Sequence, residues 1–205
     1  MIKNLLFDLG GVIMDIEKER CVASFQRLGL PDAASYFGDY SQKGPFMLLE
    51  EGVITADDFH RTLREAIGGQ VTDSQIDDAF CDFLIGIPAE RLAQLRELRK
   101  KYNIYLLSNT NSIMWHSKIK DEFKNEGRER EDYFDGMVTS FEAKSMKPDE
   151  RIFGYAVETL GIKPEETIFL DDSQRNLDAA GRLGFKTLLV SPGEEFYALL
   201  TAEGL

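Results

Sequence analysis

The chain has 205 residues, 43% of them hydrophobic and 11% aromatic, with a formal net charge of −12. It is long for one ordinary domain, so we expect one domain with a large insertion or two small ones, with enough apolar content for a real core. Nucleic acid is disfavoured as a partner, since no basic run exceeds short patches such as Arg99-Lys100-Lys101, and no apolar stretch is long enough to span a membrane.

The first predicted element is a buried strand through Ile2, Leu5, Leu6 and Phe7, entered directly from Met1 instead of through a signal peptide. It runs into LLFDLGGVIMD, ending on Asp8 ahead of Gly10 and Gly11. A buried strand tolerates a carboxylate at its end, facing a cleft, and glycines let the chain turn sharply and be approached closely. Taken alone, a solvated aspartate before a tight turn explains the stretch equally well.

Residues 16–87 read as helical. Val22, Phe25 and Leu28 share one helical face before Gly29, while Thr55-Ala56-Asp57-Asp58 and Thr72-Asp73-Ser74-Gln75 are capping signals for two further helices. The aromatic group Phe37, Tyr40 and Phe46, with Trp115 further on, is assigned to packing ahead of pocket lining. His60 and His116 match no motif.

From Pro88 onward strand and helix alternate. A helix carrying Leu92, Leu95 and Leu98 leads to a strand over Ile104–Leu107 and the polar turn Ser108-Asn109-Thr110-Asn111. A strand over 136–140 precedes a helix with Phe153, Val157 and Leu160, stopped by Gly161. The strand Thr167–Leu170, a helix with Ala179, Ala180 and Leu183, and the strand Thr187–Val190 complete the series. This predicts an α/β fold with a Rossmann-like, doubly wound parallel sheet. Its core would comprise residues 1–15 and 88–205, with an all-helical unit at 16–87 inserted after the first strand. The two cysteines, Cys21 and Cys81, argue against a disulfide framework or a thiolate metal site, and a soluble protein of a reducing compartment, the cytoplasm, is expected.

Ligands of an open parallel sheet bind beyond the carboxyl ends of its strands. Those ends carry Asp8; Ser108 and Asn109; Lys144 and Lys147; and Asp171 with Asp172. Phosphoryl transfer through a carboxylate needs such a set: a nucleophile, donors to the phosphoryl oxygens, a positive charge and ligands for Mg²⁺. Singly, Ser108-Asn109 passes for a turn and Lys147-Pro148-Asp149 for a helix start. Asp171-Asp172 is harder to dismiss, because adjacent carboxylates repel unless a cation or hydrogen bonds offset them.

The segments FDLGGV, LLSNT, KSMKPD and FLDDSQRNLDAA resemble, in order, the four motifs of the haloacid dehalogenase superfamily of phosphohydrolases, and the resemblance extends over essentially the whole chain. Within it, FDLGGVIMDIE, LSNTN and KPDERIF are most similar to the alpha-D-glucose-1-phosphate phosphatases. The resemblance implies that Asp8 is the nucleophile, that Ser108 and the Asn109 amide hold phosphoryl oxygens, and that Lys147, ahead of Lys144, balances the charge. It also implies Mg²⁺ bound by Asp8, the Gly10 carbonyl and Asp172, with Asp171 a second ligand or a support behind it. Asp15 would sit near the hinge into a helical cap.

Most phosphatases of that superfamily have a second aspartate two residues after the nucleophile, serving as general acid and base; this chain has Gly10 there, as do the glucose-1-phosphate phosphatases. Losing such a group costs about 10²–10⁴-fold, most for poor leaving groups. The expected function is a Mg²⁺-dependent phosphatase of a small phosphorylated metabolite, a sugar phosphate such as glucose 1-phosphate. The alternatives are a low-turnover or non-catalytic binder of a phosphorylated ligand and, against the Asp171-Asp172 pair, a 2-haloacid dehalogenase. Specificity is assigned to the cap, where Lys43, Arg61 and Arg64 read either as contacts to the leaving group or as solvated surface charge. The sequence carries no signal for oligomeric state.

Overall fold

The computed structural model describes residues 1–38 and 42–205. From the amino terminus, β1 (Asn4–Phe7) and β2 (Asp15–Ile16) precede α1 (Lys18–Leu28), α2 (Gly44–Glu50), α3 (Ala56–Ile67), α4 (Asp73–Cys81) and β3 (Leu84–Gly86). Next come α5 (Ala89–Leu98), β4 (Asn103–Ser108), α6 (Ser112–His116), α7 (Lys118–Phe123), β5 (Gly136–Thr139) and α8 (Ser140–Ala143). The chain closes with α9 (Glu150–Leu160), β6 (Thr167–Asp171), α10 (Gln174–Arg182), β7 (Lys186–Leu189) and α11 (Phe196–Ala202).

Five strands form one parallel sheet in the order β5-β4-β1-β6-β7, with β1 in the centre. Alternating side chains make both of its faces apolar, as a sheet covered by helices on either side requires. Leu5, Phe7, Ile104, Leu106, Ile168 and Leu170 pack into one core with residues of α5 and α11. Leu6, Leu107, Val138 and Phe169 pack into the other, against Ile152, Phe153, Leu177 and Ala180 of α9 and α10. The predicted α/β, doubly wound class is the observed one.

α1 to α4 pack around aromatic rings. Phe46 of α2 lies with its ring centroid 5.1 Å from those of Phe25, Phe59 and Phe80, and the Phe37 ring lies tilted beside it at 4.8 Å. Phe37, Phe46 and Trp115 are all buried, whereas the fourth aromatic of that prediction, Tyr40, lies outside the described residues. Both expected capping boxes form: Thr55 with Asp58 and Thr72 with Gln75. His60 is buried with Nε2 2.7 Å from Asp77 Oδ1, and His116 is exposed at the end of α6.

Two features depart from the sequence reading. β2 and β3 pair antiparallel where the chain leaves and re-enters the sheet region; at two and three residues they are too short for periodicity to mark them. The strand expected over 136–140 ends at Thr139, because Ser140 opens α8. No helix among the described residues is long and apolar enough to cross a membrane, and both cysteines are free.

Candidate active site

The carboxyl ends of β1, β4 and β6 meet on one edge of the sheet. The Asp8 N–H donates to the Leu170 carbonyl at 2.8 Å, which extends the β1–β6 ladder by one residue and sets the Asp8 carboxylate at the mouth. Its Oδ1 accepts the Leu9 N–H at 2.7 Å and lies 2.8 Å from Lys147 Nζ. The same ammonium lies 2.7 Å from Asp171 Oδ2. Asp171 is fully buried, and its Oδ1 accepts from the Ser173 N–H at 2.8 Å and from Asn176 Nδ2 at 2.9 Å. With both oxygens engaged, Asp171 fits the supporting role of the two that the resemblance allowed: it holds Lys147 from behind.

Asn109 is turned to the lysine as well. Its Nδ2 donates to the Lys147 carbonyl at 3.0 Å and its Oδ1 accepts the Lys147 N–H at 2.9 Å, so its carboxamide clamps the Lys147 backbone. Ser108, buried at the end of β4, leaves its hydroxyl with one long contact, 3.4 Å to the Asn109 carbonyl. Lys144 lies away from this group and donates to the Gly52 carbonyl.

After Asp8 the chain folds back on itself, with the Ile13 and Met14 N–H groups both donating to the Leu9 carbonyl, at 2.9 and 2.8 Å. Gly11 has φ +75°, and a Cβ there would stand 2.4 Å from Asp172 Oδ2. Only glycine lets Asp172 come this close to the loop. Gly10 has no such constraint: an added Cβ would meet only methyl groups of Ile16, at 3.5 Å.

Asp8, Asp171 and Asp172 place one oxygen each within 4.8 Å of one another. Three carboxylates against one ammonium leave the cluster short of positive charge. Burial pushes Asp8 up to about 8, against the pull of Lys147 and helped by Asp171 and Asp172. Burial, then the charge of Asp171, pushes Asp172 up to about 6. For Lys147, burial favours the neutral amine, but Asp171 and Asp8 outweigh it and hold the ammonium above its ordinary pKa. Hard oxygen donors in an electron-rich cluster suit a divalent cation such as Mg²⁺. The residues fit that ion, Asp8 and Asp172 having oxygens toward the cleft.

A cleft of about 120 Å³ opens above this cluster, lined by Asp8, Gly10, Asn109, Lys147 and Asp172 from the sheet edge and by Gln42, Glu50 and Phe83 from the facing side. Sequence reasoning missed Glu50 and Gln42. A signal existed for Glu50, since it shares the buried face of α2 with Phe46 and Leu49, where an acid is out of place. It missed Arg91 too, whose guanidinium bridges Asp15 at 2.7 Å and Glu195 at 2.9 Å and donates to the Ile13 carbonyl at 3.2 Å. This ties the segment leading into β2 to the carboxyl-terminal part of the chain. The expected cap cations are absent from the cleft lining: Lys43 is exposed, Arg61 pairs with Asp58 and Arg64 with Asp73.

Comparison with known proteins points the same way. The haloacid dehalogenase-like hydrolase family profile matches residues 2–184. D-ribitol-5-phosphate phosphatase from Bacteroides thetaiotaomicron is 36% identical over 98% of both chains. A crystal structure of a HAD family enzyme from the same organism, in complex with magnesium and inorganic phosphate, superposes with a TM-score of 0.91 at 41% identity, covering 97% of this chain and 99% of that one. A predicted HAD-like family hydrolase from Porphyromonas gingivalis superposes at 0.92 with 35% identity, covering 99% and 98%. With the strand-end cluster and these matches spanning nearly its whole length, the chain belongs to the haloacid dehalogenase-like hydrolases.

Proposed function

We propose that this hydrolase is a Mg²⁺-dependent phosphatase of a small phosphorylated sugar or sugar alcohol. The observation that carries this reading is the Asp8 carboxylate held 2.8 Å from a buried ammonium, at the open end of the central strand. Asp8 attacks phosphorus to form an aspartyl phosphate, which water then hydrolyses. Lys147, fixed by Asp171 and Asn109, offsets charge on the nucleophile and the transferring group, and the Ser108 hydroxyl is available to a phosphoryl oxygen. Mg²⁺, held by Asp8, Asp172 and the Gly10 carbonyl, would neutralise further charge and orient the phosphoryl group. Residues 1–15 and 88–205 act as the catalytic core and 16–87 as a cap that meets the leaving group.

The relative's substrate makes D-ribitol 5-phosphate the first ester to test, beside glucose 1-phosphate, glucose 6-phosphate and p-nitrophenyl phosphate. The expected result is phosphate release that needs Mg²⁺, stops with EDTA and is lost in Asp8→Asn. Full release by Asp8→Asn would refute the reading. The ranking within the panel identifies the preferred alcohol.

A further inference from the structure

A phosphatase of this design lacks an acid beside its nucleophile, because the position two residues on from Asp8 is Gly10. Resting on the phosphatase reading, we propose that Glu50, the last residue of α2, is the general acid and base of the reaction, a catalytic residue supplied from the helical side of the cleft.

In-line displacement fixes where such a group must stand. The leaving oxygen departs on the far side of phosphorus from Asp8, toward the wall that faces the end of β1. Among the described residues between β1 and α5, those that line this wall are Ile16, Gly38, Gln42, Glu50 and Phe83. Of these, only Glu50 carries a transferable proton. Glu50 also borders the narrower recess formed by Gly10, Ser108 and Asn109, so it overlooks the place the usual aspartate would occupy.

Two further observations separate Glu50 from an ordinary packed side chain. It is 7% exposed and, among the described residues, has no ion-pair partner, which is costly for a carboxylate unless it stays protonated. Burial does push it up to about 8, against a hydrogen bond from Gln42, placing it near neutrality where one group can both give and take a proton. Gln42 is itself 7% exposed and lines the cleft, with its Oε1 unpartnered among the described residues.

The backbone that carries Glu50 is anchored to the sheet edge. The Ser140 hydroxyl donates to the Glu50 carbonyl at 2.6 Å while accepting the Thr110 N–H at 3.0 Å. Two residues on, Lys144 donates to the Gly52 carbonyl, and a Cβ on Gly52 would stand 2.1 Å from the Phe141 carbonyl. The end of α2 is thus docked directly on the loops that hold Ser108 and Asn109.

The steps balance. As the Asp8 Oδ–P bond forms and the ester P–O bond breaks, Glu50 gives its proton to the departing alkoxide, which leaves as the alcohol. Its carboxylate then takes a proton from water as the water oxygen bonds to phosphorus and the Asp8 Oδ–P bond breaks. Inorganic phosphate leaves, and both acids return to their starting states.

The test is Glu50→Gln, close in shape and neutral like the protonated acid. For the alkyl phosphate that the wild type turns over fastest, kcat/KM should fall about 10²–10⁴-fold. For p-nitrophenyl phosphate, whose leaving group needs no proton, kcat/KM should hardly change, and a burst of p-nitrophenolate equal to the enzyme should appear because hydrolysis of the aspartyl phosphate is slowed. The retained p-nitrophenyl phosphate reaction doubles as a check on folding. Adding Gly10→Asp to Glu50→Gln should restore alkyl phosphate turnover, since the loop accepts a side chain there. An equal loss for both leaving groups, or no loss for either, overturns the assignment of Glu50. A wild type without Mg²⁺-dependent turnover of any ester overturns the phosphatase reading instead.

Discussion

The two walls of the cleft are built on opposite plans. The sheet edge packs three carboxylates and an ammonium into a few ångströms, with Asp8, Asp171 and Lys147 tied by hydrogen bonds to neighbouring backbone or side chains. Among the described residues the helical wall offers one ionisable group, Glu50, on helices that pack around a cluster of phenylalanines with aliphatic residues between them. A fixed charge cluster suits a step common to every phosphate ester, attack at phosphorus. An apolar wall with one acid and one amide suits discrimination between leaving groups, because hydroxyls left unpaired there are penalised.

The contrast can be broken most severely at Lys147. Lys147→Ala leaves Asp8 and Asp171 buried without their cation, so activity should vanish and stability in EDTA should fall by about 3–5 kcal/mol, read by urea unfolding. Phe46→Ala strikes the other wall. Removing the ring at the centre of the aromatic cluster should cost about 3–5 kcal/mol, while calorimetric Mg²⁺ affinity stays unchanged because the carboxylates belong to the sheet edge. A loss of Mg²⁺ affinity would show that the two walls are not independent.

A gentler probe is pH. Glu50 is raised by burial from 4.5 to about 8, so between those values the folded chain keeps a proton that the unfolded chain has released. Stability therefore falls as pH rises through that window, by up to about 1.4 kcal/mol per unit from this group. Asp8 and Asp172 titrate in the same direction, but glutamine does not titrate, so the comparison with Glu50→Gln isolates the one residue. The variant should gain on the wild type from pH 5 to pH 8, and a constant difference would place Glu50 in a solvated setting. At the small end, Arg61→Ala removes an exposed pair with Asp58. It should change stability by less than about 0.5 kcal/mol and leave the preference among sugar phosphates unaltered; an altered preference would return that cation to the substrate's path.

The same contrast explains what the sequence made legible. Asp8, Ser108, Lys147 and the Asp171-Asp172 pair each follow a buried strand or its loop, where polar residues interrupt an apolar run and the sheet's topology says where they point. Their gathering at one edge could be read before any coordinates. The task of Asn109 could not, since clamping a backbone 38 positions away depends on a loop–loop contact that no local pattern encodes. Glu50 was legible only weakly: its spacing from Phe46 puts it on the apolar face of α2, but a single acid ending a seven-residue helix reads equally as solvated charge until packing fixes which face is buried. Lys43, Arg61 and Arg64 drew attention by charge alone, and charge without a fixed direction is weak evidence of a site. The β2–β3 ladder escaped for a related reason, being a contact between segments almost seventy residues apart with too few residues in either to show a period.

The decisive question is whether Asp8 itself carries the phosphoryl group during turnover. Wild-type protein turning over its best sugar phosphate with Mg²⁺ would be quenched in acid, digested and weighed by mass spectrometry. If Asp8 is the nucleophile, the peptide containing it gains one phosphoryl group, removed by hydroxylamine and absent from Asp8→Asn. Steady turnover with that peptide unmodified, and with Asp8→Asn still releasing phosphate at the wild-type rate, would contradict it.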